Sequence, residues 1–174
     1  MTPAGHLSIS YITGRTTRSI SLTAVLIGAV LPDLDFLFIF FDWFNQVHRV
    51  ISHNLLYVAL FSIIGILAAP AGRKKAVGMG LLTGGIMHLL IDSVMDNNPS
   101  NGIGLALFWP FNNEFFSPFN ILEAQNKFGW DKPLKMLRSL IPAMLYEVPF
   151  YLAALYLFFR EKMKQAPITA ETRD

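Results

Sequence analysis

Two polar side chains on one predicted helix form the best-placed pair for binding a metal ion. His88 and Asp92 are four residues apart in an otherwise apolar stretch. This spacing puts both side chains on one helix face, with Cβ atoms about 5–6 Å apart, so one ion can be held without bending the backbone. A histidine–carboxylate hydrogen bond inside a helix bundle is the alternative, and the pair alone does not separate the two.

Two carboxylates interrupt the first apolar stretch, in the string Pro32-Asp33-Leu34-Asp35. The proline disfavours helix at the residue before it. We therefore expect an extended turn in which Asp33 and Asp35, two residues apart, point the same way. Two carboxylates aimed together repel unless a cation lies between them, which makes the pair a candidate for metal binding. The alternative is a solvated turn at a membrane surface.

A third polar group contains His48, Arg49 and His53. On a helix the two histidines would not share a face, whereas Arg49 and His53 would. We expect Ser52 or Asn54 near the start of the following long helix, with His48 in the turn before it. A guanidinium beside histidines indicates recognition of phosphate or carboxylate, because its planar fork binds such oxygens through two hydrogen bonds. The alternative is an interfacial arginine between two surface histidines.

Two more ionisable residues lie in or beside apolar stretches, His6 and Glu147. Such residues are costly at membrane depth, and they are functional by default. A single histidine near an N-terminus is more often incidental. Glu147 falls well inside the last predicted helix, at a depth similar to that of His88. It could be a metal ligand, a proton-transfer group or a buried partner, and we favour the buried partner.

The composition indicates a membrane protein. Of 174 residues, 53% are hydrophobic and 15% are charged, whereas soluble domains carry about 25% charged residues. Disordered, collagen-like and coiled-coil chains are thereby excluded. The absence of cysteine excludes disulfides, thiolate zinc sites and cysteine nucleophiles. A net charge of +2 without a basic stripe argues against nucleic-acid binding.

Four apolar stretches predict an all-α, multi-pass bundle of about four membrane helices. In chain order they are residues 20–41, interrupted by the acidic string, then 55–69, 76–95 and 137–159. A spanning helix needs about 20 residues, which the third and fourth stretches supply and the second reaches with its flanks. The first is expected to be a short helix that ends at the polar site, followed by an aromatic interfacial segment over 36–44.

The remaining segments complete the predicted organisation. A short N-terminal helix is expected over 4–12, and the aromatic connection 97–136 is expected to form an interfacial loop. Residues 1–164 would form a single integral-membrane domain, and 165–174 a polar tail. The excess of Lys and Arg puts the turn at 73–75 and the C-terminus in the cytoplasm. Under this topology the three polar motifs gather in the outer half of the bundle, and His6 lies towards the same side of the membrane as Asp33.

Taken together, these residues resemble the YdjM-like group of bacterial inner-membrane proteins, described as membrane-bound, metal-dependent hydrolases. The matching elements span residues 3–111: Gly5-His6-Leu7, Leu31-Pro32-Asp33-Leu34-Asp35, His48-Arg49-x-x-Ser52-His53, Gly85-x-x-His88-x-x-x-Asp92 and Trp109-Pro110. The group is itself distantly similar to zinc-dependent phospholipase C and related nucleases. This chain departs from the phospholipase pattern because it has no His-x-x-x-Glu pair and no N-terminal Trp ligand. The resemblance implies a metal-ligand set of His6, Asp33, His53, His88 and Asp92, with Asp35 and His48 as further ligands or as supports.

The function we expect is hydrolysis of a phosphoester on a lipid or lipid-linked substrate at the bilayer of the inner membrane. A His/Asp set without cysteine suits zinc, and also manganese or non-haem iron. A divalent ion with an open position activates water and polarises a phosphoryl oxygen. Arg49 would then hold the anionic group, and Asp35 or His48 would transfer protons. The sequence does not indicate an oligomeric state.

Two other functions fit the same residues. A metal-ion or proton carrier would use them as a transit site, but it would favour continuous polar residues through the inner half, where the sequence offers only Thr83 and Glu147. A structural membrane protein would use the polar cluster only to tie helices together. The metal content of the purified protein separates the structural alternative from the other two.

Overall fold

The computed structural model describes residues 2–41, 43–94, 104–117 and 133–165, and this part of the chain is helical. The α-helices are α1 (Pro3–Thr16), α2 (Leu22–Val30), α3 (Phe44–Val47), α4 (Leu55–Ala68), α5 (Lys74–Val94) and α6 (Pro133–Gln165). Two 3₁₀ segments are Leu31–Phe38 and Ala71–Arg73. Within these ranges the only strand-like pairing is one isolated bridge between Leu105 and Phe116. The prediction of an all-α fold is confirmed.

Helices α2 and α5 form the centre of the structure because glycines let their backbones approach closely. A Cβ atom on Gly84 would lie 2.0 Å from the carbonyl oxygen of Val25, and one on Gly28 would lie 2.3 Å from that of Leu81. Small residues permit such packing between apolar helices. His88 lies one turn beyond Gly84 on α5, so this contact brings its ring against the end of α2.

Helix α1 packs against α2, α5 and α6, and α4 packs against α5. Polar contacts join α1 to α6 at two heights. Near the start of α1, the buried carboxylate of Glu147 accepts hydrogen bonds from the backbone N–H of Thr2, at 2.8 Å, and from the hydroxyls of Thr2 and Tyr151. At its other end, Arg15 pairs with Glu161 at 2.9 Å. Glu147 is thus a buried partner that fixes the N-terminus of α1.

One helix among the described residues is long and apolar enough to cross a membrane, and it is α5 with the preceding turn, Ala71–Val94, 24 residues. Helix α4 has 14 residues, or about 21 Å, which is shorter than the hydrocarbon layer of about 30 Å. The expected set of four membrane helices is therefore not confirmed.

The acidic string differs from its prediction. Instead of an extended turn, Leu31–Phe38 is a 3₁₀ helix with Pro32 in its first turn. Proline is tolerated there because the first amides of a helix have no partner within it. With three residues per turn, positions two apart lie about 240° apart around the axis. The prediction that Asp33 and Asp35 point the same way was therefore wrong, and the two carboxylates contact different partners.

Several boundaries also differ. Helix α1 is longer than the expected 4–12, and α6 begins at Pro133 and includes Gln165. Of the aromatic connection 97–136, residues 97–103 and 118–132 lie outside the described residues, as do residues 95–96 and residues 166–174 of the expected tail.

The described part of the connection, 104–117, covers the turn that precedes α4. The backbone N–H of Ala106 donates to the carbonyl of Arg49 at 3.2 Å, and that of Leu55 donates to Leu107 at 3.0 Å. Leu105 is fully buried beneath this cover, whereas Phe111 is 87% exposed. The loop thus shields the backbone of the turn on one side and exposes aromatic rings on the other.

Candidate metal centre

Four side chains from three parts of the chain point at one place in the structure. They are Asp33 of the 3₁₀ segment, His53 before α4, and His88 and Asp92 of α5. All four are buried or nearly so, and their ligand atoms lie within 4.8 Å of one another. The i,i+4 pair on α5 is thus joined by one residue from each of the other two polar motifs.

The spacing of these atoms suits a single small cation. The Nε2 atoms of His53 and His88 are 3.2 Å apart. The distances from Asp33 Oδ1 are 3.4 Å to His53 Nε2 and 3.6 Å to His88 Nε2, and those from Asp92 Oδ2 are 3.5 and 3.4 Å. A tetrahedral zinc ion with bonds of about 2.0–2.2 Å separates its ligands by about 3.3–3.6 Å. This His/Asp group could therefore hold a metal ion.

A backbone carbonyl fixes the proton on His88. Its Nδ1 lies 2.7 Å from the carbonyl oxygen of Ala29, and since a carbonyl only accepts, Nδ1 must carry the proton. In 3₁₀ geometry that carbonyl would bond to the amide three residues on, but Pro32 has no N–H to give. The carbonyl accepts from His88 Nδ1, and the ring's Nε2 lies against His53, Asp33 and Asp92.

The centre needs a positive charge. Burial lowers the pKa of the His53 imidazole, but hydrogen bonds to Asp33 and Asp92 outweigh it, and the net shift is upward. Burial likewise raises the pKa of Asp33, yet the hydrogen bond from His53 and the nearby His88 hold it below its ordinary value. Two carboxylates beside two imidazoles thus favour one added charge, either a proton on His53 or a metal ion in its place.

His6 lies next to this group without belonging to it. Its Nε2 is 3.1 Å from Asp92 Oδ1, whereas the contacts of Asp92 with His53 and His88 are made by Oδ2, and its ring stacks on His88 with centroids 3.9 Å apart. The ring is buried, its Nδ1 finds no hydrogen-bond partner among the described residues, and its Nε2 contacts Asp92 as an ion pair without the directed geometry of a hydrogen bond. The structure brings His6 to the site through Asp92, whereas the four converging atoms come from other residues.

Asp35 and His48 form a second group that adjoins the first at His53. Asp35 Oδ2 lies 2.9 Å from His48 Nδ1 and 2.6 Å from the hydroxyl of Ser52, which is 2.8 Å from His53 Nδ1. Asp35 and His48 therefore lie behind His53, on the side away from Asp33.

Residues 48–54 are a turn and not a helix, so the helical spacing of Arg49 and His53 does not apply. Arg49 has a positive φ of 69° and is buried. Asn54 holds the turn, because its amide donates to the carbonyls of Val50 and Ile51 at 2.7 and 2.8 Å. Its Oδ1 accepts from the N–H of Tyr57 at 2.7 Å and so caps α4, as expected.

Three functional contacts were not foreseen from the sequence. They are the serine link behind His53, the Ala29 carbonyl behind His88, and the pairing of Glu147 with Thr2 and Tyr151. The first had a visible signal, because a hydroxyl residue directly precedes a candidate ligand. The other two join residues far apart in the chain, and no local pattern indicates them.

Comparison with known proteins assigns the chain to a family. No curated protein and no solved structure matches the chain. A family model described as YdjM inner membrane protein matches residues 1–165, a range that includes the four converging side chains and all six helices. The location in the inner membrane agrees with the apolar composition. The chain belongs to the family of YdjM inner membrane proteins.

Proposed function

We propose that this chain is a membrane-bound, metal-dependent hydrolase. Asp33, His53, His88 and Asp92 would hold a divalent ion, with zinc favoured over manganese or iron by the tetrahedral spacing of the ligand atoms. The observation that carries the proposal is the convergence of two imidazole nitrogens and two carboxylates, at separations of 3.2–3.6 Å for the pairs that include a histidine.

The alternative of a purely structural polar cluster is disfavoured by a comparison within the molecule. Around Glu147, every contact joins a carboxylate to an N–H or O–H donor, as in a tie between helices. Around Asp92 Oδ2, the neighbouring atoms are the Nε2 atoms of His53 and His88. For neutral rings with Nδ1 protonated, these are acceptors facing an acceptor, an arrangement that is costly in a buried site. A proton on His53 would relieve only one of these two contacts, whereas a metal ion would relieve both.

The residues around the centre have separate proposed roles. A bound divalent ion would supply activation of water and polarisation of a phosphoryl oxygen. Arg49 would bind the anionic group of the substrate through its planar fork. His48 and Asp35, joined at 2.9 Å, would accept and release protons. His6 would hold Asp92 through Oδ1.

The substrate and the multi-pass arrangement are proposed from the surface of the helices. Helices α4 and α6 expose large apolar side chains, among them Leu60, Leu67, Leu152 and Tyr156. Such faces are unusual on soluble monomers and suit contact with lipid. The centre lies near the end of α5 opposite Lys74, and the exposed aromatic rings Phe40 and Phe111 belong to the segments beside it. A phosphoester on a lipid or lipid-linked molecule would meet the site at this level.

The test begins with the metal content of protein purified in detergent without an affinity tag that binds metal. Stoichiometric zinc, manganese or iron, together with metal-dependent release of phosphate or headgroup from phospholipid vesicles, is the expected result. His88→Ala should abolish both. Metal without hydrolysis of any lipid phosphoester would overturn the hydrolase, and metal uptake by proteoliposomes would then support a carrier. Absence of bound metal would support the structural alternative.

A further inference from the structure

Ser52 is buried between the two polar groups of the site, and its side chain is not used by the helix that follows. Asn54 caps α4, so the Ser52 hydroxyl is free for other contacts. It lies 2.6 Å from Asp35 Oδ2 and 2.8 Å from His53 Nδ1. Only 3% of the residue is exposed, so its hydroxyl is shielded from bulk water.

The direction of both hydrogen bonds follows from counting protons. A serine hydroxyl has one proton and two lone pairs, and an ionised carboxylate only accepts. Ser52 therefore donates to Asp35, and its remaining contact must be accepted from His53. The proton of the neutral His53 ring is thus on Nδ1, and Nε2 presents its lone pair to Asp33, Asp92 and His88.

His48 strengthens this arrangement. Its Nδ1 lies 2.9 Å from the same Asp35 oxygen that accepts from Ser52. Asp35 Oδ2 therefore accepts hydrogen bonds from both His48 and Ser52. Because the Ser52 proton is used in the bond to Asp35, Ser52 accepts from His53 and does not donate to it. The chain His48–Asp35–Ser52–His53 therefore has one consistent direction.

The two histidines of the centre are fixed in different ways. For His88 the Nδ1 proton goes to a backbone carbonyl, which no side-chain substitution removes. For His53 it goes to a serine hydroxyl backed by a carboxylate. Partners of this kind orient a metal-binding histidine and raise its basicity, and their loss reduces metal affinity by about 10–100-fold.

We propose that Ser52 is a positioning residue for the metal centre: it transmits the charge of Asp35 to His53 and fixes the ring in the state that binds metal. The inference rests on the proposed function, in that it presumes a metal at the four converging atoms. Ser52 itself touches neither metal nor substrate in this scheme.

The experiment compares zinc affinity, measured by competition with a chromophoric chelator, across a small set of variants in detergent. Ser52→Ala should bind zinc about 10–100-fold more weakly, and Ser52→Thr, which keeps the hydroxyl, should restore most of the affinity. Ser62→Ala is the matched control, because Ser62 is also buried but donates to the carbonyl of Val58 at 2.7 Å. It should bind zinc like the wild type. Equal affinities of Ser52→Ala and wild type would overturn the inference and leave the metal centre intact.

Two further measurements separate positioning from simple loss of packing. In a double-mutant cycle, Ser52→Ala and Asp35→Asn should be strongly non-additive, because each breaks the same link to His53; additive effects would contradict the proposed link. In the chelated protein, at a pH high enough to leave the His53 ring neutral, ¹⁵N-histidine NMR should show the Nδ1–H form of His53 in wild type and a mixed population in Ser52→Ala. An unchanged spectrum would overturn the inference even if the protein bound no zinc, which would itself refute the proposed function.

Discussion

Replacing Asp92 by Asn is the sharpest perturbation of the proposed metal centre, because it preserves shape and removes one charge. Asp92 Oδ2 lies 3.5 and 3.4 Å from the Nε2 atoms of His53 and His88, and Oδ1 lies 3.1 Å from His6 Nε2. The residue contacts three histidines and is 3% exposed. Asp92→Asn should therefore leave the helix packing intact while it removes one of four converging ligands.

The loss of metal-dependent stability in Asp92→Asn follows from the expected loss of metal affinity. Partners that only orient a ligand are worth about 10–100-fold in metal affinity, so a direct ligand should be worth at least the upper value. At a free metal concentration about 100 times the wild-type Kd, binding to the folded state adds about 2.7 kcal/mol. A 100-fold higher Kd, about 2.7 kcal/mol of binding energy, reduces that contribution to about 0.4 kcal/mol. The difference of about 2.3 kcal/mol corresponds to about 5–9 °C in Tm for a chain of this length.

The assay is thermal unfolding in detergent with buffered zinc and again with excess chelator. Wild type should lose most of its metal-dependent gain in Tm when the chelator is added, whereas Asp92→Asn should change little. Bound zinc, measured on the same samples, should fall in parallel. His88→Ala should behave in the same way, because it removes the other ligand of the pair.

A carboxylate far from the site provides the control. Glu161 pairs with Arg15 at the other end of α1, so Glu161→Gln should keep the full response to zinc. The reasoning is refuted if Asp92→Asn retains stoichiometric zinc, or if its Tm differs from that of wild type equally with and without chelator. Either result would mean that Asp92 only ties α5 to α1.

The other predictions concern orientation, substrate and packing. Alkaline phosphatase fused after Lys164 should be inactive and fused near Asn101 active, because segments rich in Lys and Arg are expected to stay in the cytoplasm; the reverse pattern would move the site to the cytoplasmic side. Arg49→Lys should lower hydrolysis of phosphoesters at constant metal content, since the planar fork is lost, and unchanged turnover would contradict a role in phosphate binding. Glu147→Gln should lower the free energy of unfolding by about 1–3 kcal/mol, and so lower Tm with or without metal, because it weakens hydrogen bonds to buried donors. An unaltered Tm would show that the contact between α1 and α6 at Glu147 is dispensable. Gly84→Ala should destabilise by about 1–3 kcal/mol or more, as its Cβ would lie 2.0 Å from a carbonyl oxygen of α2, and a wild-type Tm would refute the close packing.

Local spacing was enough to predict the parts of the site that a single element supplies. The His88–Asp92 pair depends only on the helical period, and α5 forms over nearly the predicted range. The end of α2 at the acidic string and the cap at Asn54 followed from proline and cap preferences. Composition and the absence of cysteine correctly indicated a membrane family and a His/Asp group.

The arrangement between elements could not be read from the sequence. Asp33 and Asp35 were treated as a pair because an extended strand was assumed, but a 3₁₀ helix sends them to opposite sides of His53. His6 was given the same role as the other ligands, and it lies beside the four converging atoms, in contact with Asp92 and stacked on His88. Which carboxylate faces which ring depends on how α2 and α5 pack, and that depends on backbone contacts at glycines.

The strained backbone at Arg49 allows the hydrogen bonds that join Asp35, Ser52 and His53. A non-glycine residue at φ 69° costs about 1–3 kcal/mol and persists only where its surroundings over-determine it. Here three contacts do so: Ala106 donates to the Arg49 carbonyl, and Asn54 donates to the carbonyls of Val50 and Ile51. A regular helix through this segment would hold His48 and Ser52 on one face with Asp35, but it would turn His53 about 100° away from Ser52. The strained turn instead keeps neighbouring side chains in hydrogen-bond contact, and so lets one carboxylate act on a ring that faces the metal centre.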